Sequence, residues 1–132
     1  MLSRISLASV FVLAMAAPAL ADASSCYEPI APAAVDGNTA TEAQMKSSLT
    51  DVKEFIKQSD DYQTCLLSDL AQQKREAAKS KDKDKQKLDP SVEADVQARI
   101  AKNQKLKEQV GGEYNSAAKA YTAKHPAPAA AH

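Results

Sequence analysis

Apolar residues recur at helical spacing along two long stretches of this chain. In the first, Met45, Leu49, Val52 and Ile56 step by four, three and four, which draws one narrow stripe on a helix. A second stripe, Phe55, Tyr62, Leu66 and Leu70 with Cys65 alongside, is offset from it. In the second stretch Val92, Val96, Ile100, Leu106, Val110, Tyr114, Ala117 and Tyr121 form a broken stripe. Between the two lies Lys81-Asp82-Lys83-Asp84-Lys85, a run with no apolar residue and no face that a fold can bury. The pattern predicts an all-α fold, a long antiparallel hairpin of two helices over residues 39–124 with a charged tip near 74–88. Folding about residue 84 sets Leu66 opposite Asn103, Ile56 opposite Tyr114, Val52 opposite Ala117 and Leu49 opposite Tyr121. Asn103 then falls at a seam position, where it either sets the register, as buried asparagines do in coiled coils, or stays half-exposed.

The helix ends are signposted. Thr39-Ala40-Thr41-Glu42 reads as a capping box with Thr39 at the N-cap and Glu42 at N3, and Asp36-Gly37-Asn38 before it forms a turn. Asp89-Pro90 restarts a helix, with Asp89 suited to the N-cap and Pro90 to N1, where its missing N–H costs nothing. Gly111-Gly112 interrupts the second helix at about 1 kcal/mol per glycine relative to alanine. The helix either bends there or breaks, leaving residues 113–123 as a third short helix, and a bend is the expected outcome.

Ahead of the first helix, residues 22–38 form an extended arm that contains Pro29 and Pro32. The two cysteines, Cys26 in the arm and Cys65 in the helix, are expected to be bonded. Thirteen residues from Cys26 to Thr39 span about 40 Å in a polyproline-like form. The 26 residues from Thr39 to Cys65 span about 39 Å in a helix. An arm turned back along the first helix therefore brings the two sulfurs level. Tyr27, Pro29, Ile30 and Pro32 are then available to cover the second apolar stripe, which one partner helix cannot reach. The bond would close a loop of some 40 residues, with a stabilisation of about 3–4 kcal/mol in the chain-entropy picture. No C-x-x-C motif is present, so a redox-active thiol is the lesser reading.

The first 21 residues read as a cleaved signal peptide: Arg4, an apolar stretch from Ile5 to Met15, and an Ala19-Leu20-Ala21 cleavage site. That stretch falls short of the roughly 20 residues a spanning helix needs, so the mature chain is expected to have no transmembrane segment. Cys26 follows Ala23-Ser24-Ser25, without a leucine-like residue three positions before it, which argues against lipidation. A periplasmic protein is the first expectation and a secreted one the second. In an exported chain an even pair of cysteines is expected to be oxidised.

Several segments resemble those of an uncharacterised group of small exported proteobacterial helical proteins. They are Pro29 to Pro32 before Asp36-Gly37, Ala40-Thr41-Glu42-Ala43-Gln44-Met45, Val52-Lys53-Glu54-Phe55-Ile56, Tyr62-Gln63-Thr64-Cys65-Leu66 and, less closely, Tyr114-Asn115. The chain resembles that group over about half of its mature length. The resemblance implies an export context and a style of fold, and no activity.

Charge narrows the function classes further. Formal net charge is zero overall, yet residues 22–72 carry nine acidic and three basic residues while residues 73–132 carry thirteen basic and eight acidic. Such a chain is no generic polycation, so no nucleic-acid partner is expected. The tip concentrates the basic charge in Lys79, Lys81, Lys83, Lys85 and Lys87, a candidate contact for an anionic partner. The only histidines, His125 and His132, sit in a proline- and alanine-rich tail (125–132) expected to be disordered, which gives a metal site no fixed scaffold. No catalytic constellation or phosphate-binding glycine loop stands out, and no cofactor is expected. The expectation is a non-enzymatic periplasmic binding or structural protein, whose partner is a protein, an envelope component or a second copy. The alternatives are a chaperone-like or envelope-stress adaptor using the helical groove and basic tip, and a metal-binding protein acting through the histidine tail.

Overall fold

A computed structural model describes residues 26–126 apart from Lys83 and Lys85. The segment expected to be a signal peptide (1–21), the start of the arm at 22–25 and the tail from 127, with His132, lie outside the described residues. Two helices, α1 (Glu42–Ala78) and α2 (Pro90–Lys124), pack antiparallel as a hairpin, and the arm is joined to α1 by the Cys26–Cys65 disulfide.

The start of α1 falls two residues later than the capping motif predicts. Thr41 is the N-cap: its Oγ1 accepts from the Gln44 N–H at 3.2 Å, and Gln44 Oε1 accepts from the Thr41 N–H at 2.8 Å. Thr39 is not free to cap, because it belongs to the turn before. Asp36 O accepts from the N–H groups of Thr39 (3.1 Å) and Ala40 (2.9 Å), and its side chain takes the Thr39 hydroxyl at 3.3 Å. At the other helix the prediction holds, with Asp89 as N-cap accepting from the Ser91 N–H at 2.9 Å and Pro90 at the first position. α2 runs unbroken through Gly111-Gly112, and Ser116 Oγ donates to Gly112 O at 2.9 Å one turn later. Among the described residues α1 and α2 are the only α-helices, so residues 113–123 form no separate third helix.

The helices share one seam rather than two stripes. Met45, Val52, Phe55, Ser59, Tyr62, Leu66 and Leu70 are the buried residues of α1, one step of seven followed by steps of three or four. Those of α2 are Val96, Asn103, Val110 and Ala117, each seven residues after the last. They pair in layers: Ala117 with Met45, Val110 with Val52, Asn103 with Ser59 and Val96 with Leu66. Numbers climb by seven on one helix as they fall by seven on the other. This register lies one heptad from the expected one, since Asn103 meets Ser59 instead of Leu66 and Ala117 meets Met45 instead of Val52. Ile56 and Tyr114 do flank a common cluster. A fold point centred in the charged run ignores Leu88, which returns to pack on the cluster of Leu70 and Val96 before α2 begins. The turn is lopsided, and that shifts the register.

The middle of the seam is polar. Ser59 and Asn103 are both 0% exposed, which decides between the two readings of Asn103: it is a buried seam residue. Its Nδ2 donates to Ser59 Oγ at 3.3 Å, and its Oδ1 accepts from Gln63 Nε2 at 2.8 Å. Lys107, well covered, pairs with Asp60 beside this layer, and Arg99 Nε donates to Tyr62 Oη at 3.1 Å while lying over the same ring. A polar layer of this kind is satisfied when Ser59 and Asn103 are level and orphaned by a slip, so it specifies register.

Candidate functional site

The arm runs from Cys65 toward the N-terminal end of α1, antiparallel to that helix, and lies over the groove between α1 and α2. Ala31 packs on the cluster of Val52, Phe55 and Val110, and Val35 packs on that of Met45 and Ala117. Glu28 reaches α2 in an ion pair with Lys102 at 3.0 Å. Part of the expected cover is wrong: Tyr27 and Ile30 do not lie on α1 but are 90% and 91% exposed. Cover recurs every third residue, at Cys26, Pro29, Pro32 and Val35, the spacing of a polyproline-like chain, and Tyr27 and Ile30 between them face water.

What holds the arm down is unusual in kind. Among the described residues, no backbone hydrogen bond is made by residues 26–35. Fixing backbone costs about 1–2 kcal/mol per residue, while an exposed ion pair such as Glu28–Lys102 returns about 0–1 kcal/mol. The arm stays in place because both of its ends are tied. At one end is the Cys26–Cys65 bond, with Cα atoms 5.7 Å apart. At the other is the Asp36 turn, where Gly37 lies directly on α2: a Cβ there would come within 1.8 Å of Ala117 O. Hydrogen bonds from Asn38, first from its backbone N–H and then from its side chain, hold the Asp36 carboxylate below its ordinary pKa, which keeps this turn charged and closed. A cleft of about 380 Å³ opens beside the disulfide, lined by Glu28, Pro29, Gln58, Asp61 and the rings of Tyr27 and Tyr62.

At the second candidate site, the basic tip, the described residues are joined by local hydrogen bonds. The Lys79 N–H closes α1 onto Ala77 O and Glu76 O. The Asp82 N–H bonds Ser80 Oγ at 3.3 Å, the Asp84 N–H bonds Asp82 Oδ1 at 3.1 Å, and Gln86 Nε2 bonds Ser80 O at 3.2 Å. Lys79, Lys81 and Lys87 are exposed around it; Lys83 and Lys85 lie outside the described residues. Below the tip Lys74 and Glu93 join the helices at 2.9 Å.

His125 belongs to the end of α2, not to a loose tail: its ring stacks on Tyr121 with centroids 4.2 Å apart, and its N–H caps Tyr121 O at 3.0 Å. Among the described residues no group of three or more His, Cys, Asp or Glu side chains could hold a metal ion. No described helix is long and apolar enough to cross a membrane.

Sequence reasoning found the disulfide pair. It missed the exposure of Tyr27 and Ile30 and the polar centre of the seam. Ser59 carried a signal, since it stands where the repeat demands a residue and joins the two apparent stripes into one. Comparison with known proteins finds no matching family model, no matching curated protein and no matching solved structure.

Proposed function

We propose that this is an exported, periplasmic protein that acts by contact rather than by catalysis, with the outer face of its arm as the contact surface. One observation carries the reading. Among the described residues Tyr27 and Ile30 are the two most exposed large apolar residues, and both stand on a strap fixed at each end. Holding such residues rigidly in water stabilises nothing in the fold, whereas aromatic and aliphatic anchors presented without ordering cost are what a binding surface needs. The resemblance to small exported helical proteins supports the same setting.

A photocrosslinking amino acid at Tyr27, with one at the exposed Lys53 as control, tests this in living cells. A discrete adduct at position 27, absent at 53 and lost with Ile30→Ser, supports the reading. Identical adduct patterns at the two positions sink it. Cleavage after Ala21, read from intact mass, tests the export.

The second reading, an adaptor for anionic partners, draws on Lys79, Lys81 and Lys87 standing exposed around a turn joined by local hydrogen bonds. The arm occupies the helical groove, so a client would have to use the tip. Co-sedimentation with phosphatidylglycerol vesicles, but not phosphatidylcholine vesicles, lost when the lysines from 79 to 87 become glutamine, is its expected result. Binding unchanged by those substitutions removes it.

A further inference from the structure

The arm is tied at two points that differ in chemistry. Gly37 packs directly against the backbone of α2 at Ala117, a non-covalent contact that a reductant leaves untouched. The other tie is a single covalent bond, and the cleft of Tyr27, Pro29, Gln58 and Tyr62 opens onto it. Between the ties the arm contributes no backbone hydrogen bond, and α1 and α2 hold each other through their own seam. Cutting the covalent tie therefore removes the arm's support without removing the helices'.

We infer that Cys26–Cys65 is a redox latch: its reduction lifts the arm out of the groove and uncovers the apolar strip of Val52, Phe55 and Val110, while the hairpin remains folded. The co-reactant is a dithiol. One of its thiolates bonds to Cys65 Sγ, and Cys26 Sγ leaves as a thiolate and takes a proton, so the arm is free at the first step. The second thiol then displaces Cys65, which becomes a thiol as the dithiol closes its own disulfide. Two electrons pass from the dithiol to the protein. The inference concerns the opposite face of the arm from the contact surface proposed above and stands without that reading.

Backbone relaxation of the mature chain, oxidised and after reduction with dithiothreitol, tests it. In the oxidised protein the order parameters of residues 27–34 are expected near the rigid value of about 0.85; in the reduced protein they fall below about 0.6. Amides of Glu42–Ala78 and Pro90–Lys124 keep their values, and fluorescence of an apolar dye rises at least threefold. The double variant Cys26→Ser, Cys65→Ser reproduces the reduced state with no reductant present. An arm that stays rigid after reduction, a dye signal that does not rise, or helices that melt together with the arm would each overturn the latch.

Discussion

Gly37 lacks a side chain because α2 occupies the space where one would go. A methyl group there would stand 1.8 Å from Ala117 O and 2.9 Å from Ala117 Cα, both backbone atoms that no rotamer change can move. Gly37→Ala is expected to cost about 1–3 kcal/mol, the range for overpacking a close contact, seen as a lower denaturant midpoint with an unchanged slope. Acid adds a second test at this scale. Asp36 and Asp89 each accept a backbone N–H, from Asn38 and Ser91, and each carboxyl lies below its ordinary value of 3.8. A folded pKa below the unfolded one means the stabilising contribution is complete above the unfolded value and is lost as pH falls through the folded one. Melting temperature should therefore drop as pH is lowered from about 5 toward 2, and Asp36→Asn with Asp89→Asn should flatten part of that drop while preserving the caps.

Among the elements, α2 shows most plainly what the chain disclosed. Its start was legible because Asp89-Pro90 is a local signal, complete within three residues. Its continuation through Gly111-Gly112 was the expected outcome against a break, and the seam carries the helix across the pair: Val110 and Ala117 are buried on either side of it. A Cβ at either glycine meets nothing within 4 Å, so neither is required by packing. Gly111→Ala and Gly112→Ala should each stabilise the protein by up to about 1 kcal/mol, measured by thermal melts and far-ultraviolet dichroism. A loss of stability would mean the glycines serve a motion. On α1 the disulfide partner and most core residues followed from spacing, whereas the split into two stripes arose because Ser59 reads as polar. Asn103 presented the same difficulty: a polar residue in a seam is recognised as buried only once its partner is placed opposite. The cap shifted from Thr39 to Thr41 because two overlapping motifs competed for one threonine, and the Asp36 turn took it.

In the whole molecule, folding and display are separate tasks. The seam, its polar layer and the Gly37 contact hold the hairpin together; Tyr27 and Ile30 take no part in it. Replacing both with serine is expected to shift stability by no more than about 0.5 kcal/mol, read as an almost unchanged melting temperature. A fall in melting temperature of many degrees would show instead that the two side chains pack in solution. The charge asymmetry of the sequence finds its use here as well, for Lys102 and Lys107 of the basic half meet Glu28 and Asp60 of the acidic half.

The heptad layers also make the protein a ruler. At 1.5 Å per residue, the 13 residues from Cys65 to Ala78 set the arm's anchor about 20 Å below the tip. Both points lie on α1, so the rise of that one helix fixes the distance. Anything seated on the arm is thereby carried at a constant stand-off from any surface the lysines touch. Lengthening or shortening that gap calls for insertion or deletion of whole heptads in both helices, since any other change would twist the arm and the tip out of their shared alignment.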